Sequence, residues 1–172
     1  MVYFAVRHET KLYGAEAELL QPLGLPGLVI GARAINFGEQ LSSMTARQPD
    51  DVPGGSDNDR DHVSVRTDNR LVGLQVGLHH MFDVGDNLRI GGSAKAGLYR
   101  NFIDRSRTFE SENVINLRSF EQTDHDEVYA QGFEINPRVE FKLAEGTYLT
   151  AAGQFLWLNN VSTAIPNYTS VT

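Results

Sequence analysis

Between Leu71 and Phe102 hydrophobic and polar residues alternate with a period of two. Val72, Leu74, Val76 and Leu78 fall on one side of an extended chain; Gly73, Gln75, Gly77 and His79 fall on the other. After the cluster Asp83-Val84-Gly85-Asp86-Asn87 the rhythm resumes. Leu88, Ile90, Ala94, Ala96 and Leu98 then stand opposite Arg89, Ser93, Lys95 and Tyr99. Strict alternation marks strands with one apolar face, and a short Gly/Asp/Asn cluster between two of them marks a hairpin.

The same rhythm recurs on both sides of this hairpin. Residues 3–20 predict a first strand in which Tyr13, Ala15, Ala17 and Leu19 oppose Gly14, Glu16 and Glu18. Its earlier bulky residues are out of phase, so a bulge is expected near His8 to Lys11. A Pro/Gly turn at 21–27 leads to a strand over 28–40, where Leu28, Ile30, Ala32 and Ala34 oppose Gly31, Arg33 and Glu39. Ile35 and Phe37 break that pattern. Residues 128–143 place Tyr129, Phe133, Ile135, Val139, Phe141 and Leu143 opposite Gly132, Glu134, Asn136, Arg138, Glu140 and Lys142. A tight turn at 144–147 leads to a last strand to about Leu158, with Leu149, Ala151, Phe155 and Trp157 on its apolar side. Residues 42–62 and 103–127 are polar and predict long loops.

The expected architecture is therefore all-β: an antiparallel up-and-down meander of about six strands. Short and long connections alternate, which is the habit of membrane β-barrels. Composition changes this picture only slightly. The 172 residues fit one domain, and 41% hydrophobic residues are too many for a disordered chain. A net charge of −7 argues against nucleic acid as a partner. The absence of cysteine rules out disulfides, zinc-thiolate sites and cysteine nucleophiles. A mean hydropathy of −0.30 suggests a soluble protein, but barrel strands carry their hydrophobicity in every second residue.

Two features place the apolar face in lipid rather than in a soluble core. Aromatics in the apolar register gather towards strand ends, where interfacial girdles lie. The expected lipid and girdle positions are Tyr13, Leu74, Val76, Phe82, Leu98, Phe133, Phe141 and Trp157. The polar face nearly balances its charges, as an enclosed lumen requires. Its expected lumen residues are Glu16, Glu18, Arg33, Glu39, Gln75, Arg89, Lys95, Glu134, Arg138 and Glu140. The competing reading is a soluble lipocalin-like barrel whose charges simply face water.

The segments LYGAEAELL, GLVIGARAINFGEQL, RTDNRLVGLQVGLHH and LRIGGSAKAGLYRNF resemble a bacterial family, the β-barrel porin family number seven. The matching positions are Tyr13, Gly14 and Glu16; Gly31, Arg33 and Glu39; Thr67, Asn69, Gly73, Gln75 and Gly77; and Lys95 to Tyr99. The resemblance implies a barrel in the bacterial outer membrane, with lipid and small polar solutes as its partners and no catalytic residues. The segment Met1–Glu9 has neither the basic nor the long apolar region of a signal peptide, and the chain lacks a terminal aromatic. Both facts fit an expectation that these residues are part of a larger barrel.

Other candidate chemistry is thin. His79 and His80 are neighbours on a strand and point to opposite faces, so they do not chelate together. Asp57, Asp59 and Asp61 echo a calcium loop, but His62 stands where its glycine belongs. Asp124-His125-Asp126 resembles the acid and histidine clusters of omptin-like barrel enzymes, without a convincing second acid pair. No cofactor, metal or enzymatic activity is expected.

Overall fold

The computed structural model describes residues 2–21, 27–47, 59–113 and 116–165. They form seven strands: β1 (Val2–Gln21), β2 (Gly27–Arg47), β3 (Asp59–Val84), β4 (Leu88–Asn113), β5 (Asn116–Ala144), β6 (Thr147–Ala152) and β7 (Phe155–Leu158). All belong to one antiparallel sheet in the order β1-β2-β3-β4-β5-β6, with β7 also pairing with β5. Among the described residues the sheet is not closed: β1 to β6 pair in succession, β7 pairs with β5, and β1 does not pair with β6 or β7.

The alternation seen in the sequence becomes the two faces of this sheet. Leu74 is 71% exposed and Gln75 only 3%, and the same inversion is seen at Leu98 and Lys95 of β4 and at Phe133 and Glu134 of β5. Tyr13, Val76, Phe82, Leu98, Phe133, Phe141 and Trp157 are all exposed on the outer face. The inner face is concave. Lys95 of β4 reaches Glu16 and Glu18 of β1, and Arg33 of β2 reaches Glu134 of β5. Each pair is separated by two intervening strands, about 14 Å apart if the sheet were flat, so only a strong inward curl brings them together.

Four sequence expectations need correction. Residues 42–47 continue β2, residues 59–62 begin β3, and residues 103–113 and 116–127 form one long ladder between β4 and β5. Both faces of these arms carry polar residues, so the periodic signal vanishes although backbone pairing continues. No bulge interrupts β1, whose register against β2 is continuous from Val2 to Gln21. Ile35 is not misplaced: it lies buried on the inner face with Leu71, Tyr99 and Ala130. The last strand is broken in two at Gly153–Gln154, although β6 and β7 keep one register against β5. The break faces Pro137, which has no N–H to donate to a neighbouring strand. The turns at 85–87 and 145–146 carry Gly85 and Gly146 at positive φ, as tight hairpins require. The Pro/Gly turn expected at 21–27 lies largely outside the described residues.

Candidate functional site: a charged inner wall crossed by its own chain

Six of the expected lumen residues meet in one cluster. Lys95 Nζ lies 2.8 Å from Glu18, 3.2 Å from Glu16 and 3.0 Å from Glu134. Arg33 pairs with Glu134 and stands 3.6 Å from Glu16. Gln75 Nε2 donates to Glu18 at 2.6 Å and to Glu16 at 3.2 Å. Lys95 and Glu134 are 4% and 2% exposed. Charges buried to that depth persist only when they are paired and hydrogen-bonded, and here each one is.

Glycine makes room for this cluster. The hydroxyl of Tyr99 donates to Gln75 Oε1 at 3.4 Å, and its ring lies across Gly97 and Gly132. A Cβ on Gly97 would stand 2.3 Å from the Tyr99 hydroxyl oxygen. Any side chain there would lift the ring out of its seat.

Arg89, Arg138 and Glu140 form a second group nearer the Gly85 turn. Arg89 pairs with Glu140 at 3.1 Å, and Arg138 pairs with it at 2.7 Å. Glu39 joins neither group; it takes part in a contact that the sequence did not suggest.

After β7 the chain turns inward at Asn160, whose φ is 51°, and residues 159–165 run across the inner wall. Asn159 N donates to Gln131 O of β5 at 3.0 Å. Asn101 of β4 donates to Asn160 O at 2.9 Å. Asn69 of β3 donates to Ser162 O at 2.8 Å and accepts from Ser162 N at 2.8 Å. Glu39 of β2 accepts from Ala164 N at 2.8 Å. Val161 packs against the inner core of Ile35, Leu71, Tyr99 and Ala130. The segment thus moves about one strand across the wall for every two residues. In the sequence Asn69 stood out only as part of a resemblance motif, and Asn101 did not stand out at all. Two asparagines in strand interiors, where asparagine is disfavoured, were the available signal.

The remaining candidates are dispersed. Asp124 and Asp126 both pair with Arg105, at 3.0 and 3.3 Å. His125 lies on the opposite side of β5 with its Nδ1 2.5 Å from Asp104 Oδ1, so the histidine and its flanking acids do not converge. Asp104 also pairs with Arg70 at 2.8 Å, beyond the apolar band of the outer face. The hydrogen bond with His125 does most to hold the Asp104 carboxyl below its ordinary range. Partial burial opposes it, and the charge of Arg70 adds to it. His80 packs edge-on to Phe82, with ring centroids 4.1 Å apart. Asp57 lies outside the described residues. Asp59 and Asp61 belong to a paired strand rather than a loop, and Asp61 accepts from Ser111 at 2.7 Å. Among the described residues no group of three or more His, Cys, Asp or Glu is placed to hold a metal ion. Among the described residues no helix is long and apolar enough to cross a membrane, which says nothing about crossing by strands.

No family model matches the chain, so the resemblance of its segments to porin family number seven stands without that support. No curated protein matches it either. Among solved structures it is similar to the RagAB peptide importer in the "closed-closed" state, with 11% identity and a TM-score of 0.40. That overlap covers 92% of this chain and 18% of the other. It is also similar to the membrane pore complex of pneumolysin, with 5% identity and a TM-score of 0.20, over 90% of this chain and 30% of the other. Neither likeness is close enough to carry an argument about function.

Proposed function

We propose that this chain is part of the wall of an outer-membrane β-barrel, with its outer face in lipid and its inner face lining a filled lumen. The inverted hydropathy carries the reading: Leu74, Leu98 and Phe133 face outward, while Lys95 and Glu134 are buried inward. A soluble lipocalin-like barrel would turn the apolar residues inward around its ligand and leave the charges in water. In lipid the opposite arrangement is the favourable one, because a cation on the lipid face at mid-depth costs about 2 to 4 kcal/mol.

The inner face favours a structural or tightly gated barrel over an open pore for small polar solutes. An open pore keeps water between walls of opposite sign. Here the signs meet directly, Lys95 with Glu134 and Arg33 with Glu16, and residues 159–165 cross above the cluster. Planar-bilayer recordings of the folded protein test this. The reading expects little steady conductance; a large one whose ion selectivity shifts in Lys95→Gln or Glu134→Gln would instead establish an open pore.

A further inference from the structure

We infer that Asn69 and Asn101 form a clamp for the backbone of a polypeptide segment, which residues 159–165 occupy in cis. The contacts of the two asparagines are to main chain, beside side-chain contacts that Ser162 makes with Arg105 at 3.2 Å and Val161 with the inner core. Asn69 takes both the N–H and the C=O of Ser162, each at 2.8 Å, and Asn101 takes the C=O of Asn160 at 2.9 Å. Glu39 takes the next N–H along, that of Ala164. Carbonyls and amides two residues apart are thus met by side chains from successive strands, and the positive φ of Asn160 and the helical turn at 164–165 shorten the segment to that spacing of about 4.8 Å.

The clamp is built rigidly. Asn69 and Asn101 are fully buried, and Asn101 Nδ2 donates to Asn69 Oδ1 at 3.1 Å, which fixes both amide planes. Asn69 also donates to Phe37 O at 3.2 Å, so its four hydrogen-bonding positions are all used. One group is left over. Asn101 Oδ1 is buried with no donor, an acceptor in the clamp that residues 159–165 do not satisfy. A buried polar atom without a partner is costly, and its retention suits a site that takes more than one chain. The ligand class is therefore a short polypeptide segment, held by the two asparagines through its peptide groups. Residues 159–165 hold that place and close the wall while they do so.

The test uses the full chain folded in detergent micelles, and the absence of native cysteine makes thiol labelling clean. Ser162→Pro removes the N–H that Asn69 accepts and also the Oγ that accepts from Arg105 Nε at 3.2 Å; Ser162→Ala removes only the Oγ and so serves as the control. Labelling of Val161→Cys should be about tenfold faster in the Ser162→Pro background than in Ser162→Ala, as loss of one further buried hydrogen bond implies. A fluorescent peptide of residues 159–165 should then bind the Ser162→Pro chain. It should bind the unaltered chain poorly, because the tethered segment competes at high effective concentration. Adding Asn69→Ala should abolish peptide binding, and Asn101→Ala, which removes one contact, should weaken it. Equal labelling in Ser162→Pro and Ser162→Ala overturns the clamp, and so does a released segment whose place the peptide does not take.

Discussion

Lys95 on β4 and Glu18 on β1 stand 2.8 Å apart although two strands lie between them. That contact measures the curl of the sheet and shows what fills its hollow. Lys95 and Arg33 are the cations of a cluster whose anions are Glu16, Glu18 and Glu134. Removing Lys95 leaves the buried Glu134 and the partly exposed Glu16 and Glu18 facing one guanidinium. Lys95→Met is therefore expected to destabilise the folded protein by about 3 to 5 kcal/mol. Adding Glu134→Gln should recover part of that loss, because the second change removes a carboxylate that the first left short of partners. Urea unfolding of the four members of this double-mutant cycle measures both effects; additive losses would contradict a coupled cluster.

Tyr99 supplies two separable contributions, ring packing and a hydroxyl contact. Tyr99→Ala opens a cavity over Gly97 and Gly132 and should cost about 3 to 5 kcal/mol. Tyr99→Phe loses a 3.4 Å hydrogen bond to Gln75 and should cost about 1 kcal/mol or less. Unfolding midpoints of the two variants decide between them. Equal losses would mean that the hydroxyl, and not the ring, holds the cluster together.

Gly92 tests the backbone at the strand break. Its φ is 145°, and a Cβ there would stand 2.0 Å from Asn136 O, beside Pro137. No rotamer relieves a clash with backbone. Gly92→Ala should therefore lower the yield of folded protein, whereas Gly146→Ala, strained in φ but with open space around it, should be milder. Refolding yields from urea compare the two; an unaffected Gly92→Ala would show that β4 and β5 shift apart freely here.

The outer face beyond the apolar band carries a pH-dependent contact. Asp104 is held below the ordinary carboxylate range, first by its hydrogen bond with His125. A depressed carboxylate contributes stability that is present above the unfolded value of about 4 and is lost as pH falls through the lower folded value. An NMR titration of the Asp104 carboxyl should give a midpoint below that of an unfolded peptide, and His125→Ala should raise it. An unchanged midpoint in His125→Ala would assign the effect elsewhere.

How far the sequence could be read follows from what each stretch borders. Between Leu71 and Phe102 the two faces differ sharply in polarity, so strand, turn and orientation were all legible. Parity put Gln75, Lys95 and Glu134 on the polar faces of their strands, and all three are buried on the concave side of the sheet. In the arms at 59–62 and 103–113 neither face is apolar, and the ladder leaves no periodic trace although its backbone pairing is unbroken. The crossing by residues 159–165 was illegible for another reason. Asn69 and Ser162 are far apart in the chain, and their contact runs through peptide groups that every residue possesses. Ile35 seemed an error of phase because one apolar residue on a polar face looks like noise; it anchors the inner core instead.

The central claim is that the exposed apolar face meets lipid. Leu74 and Gln75 are adjacent in β3, one outward at 71% exposure and the other inward at 3%. Leu74→Arg puts a cation into lipid, whereas Gln75→Arg puts one beside Glu16 and Glu18, which can pair with it. The decisive measurement is the yield of folded protein when each variant refolds from urea into lipid vesicles. A strongly impaired Leu74→Arg with a far milder Gln75→Arg is expected; equal yields, or the reverse order, would contradict the assigned faces.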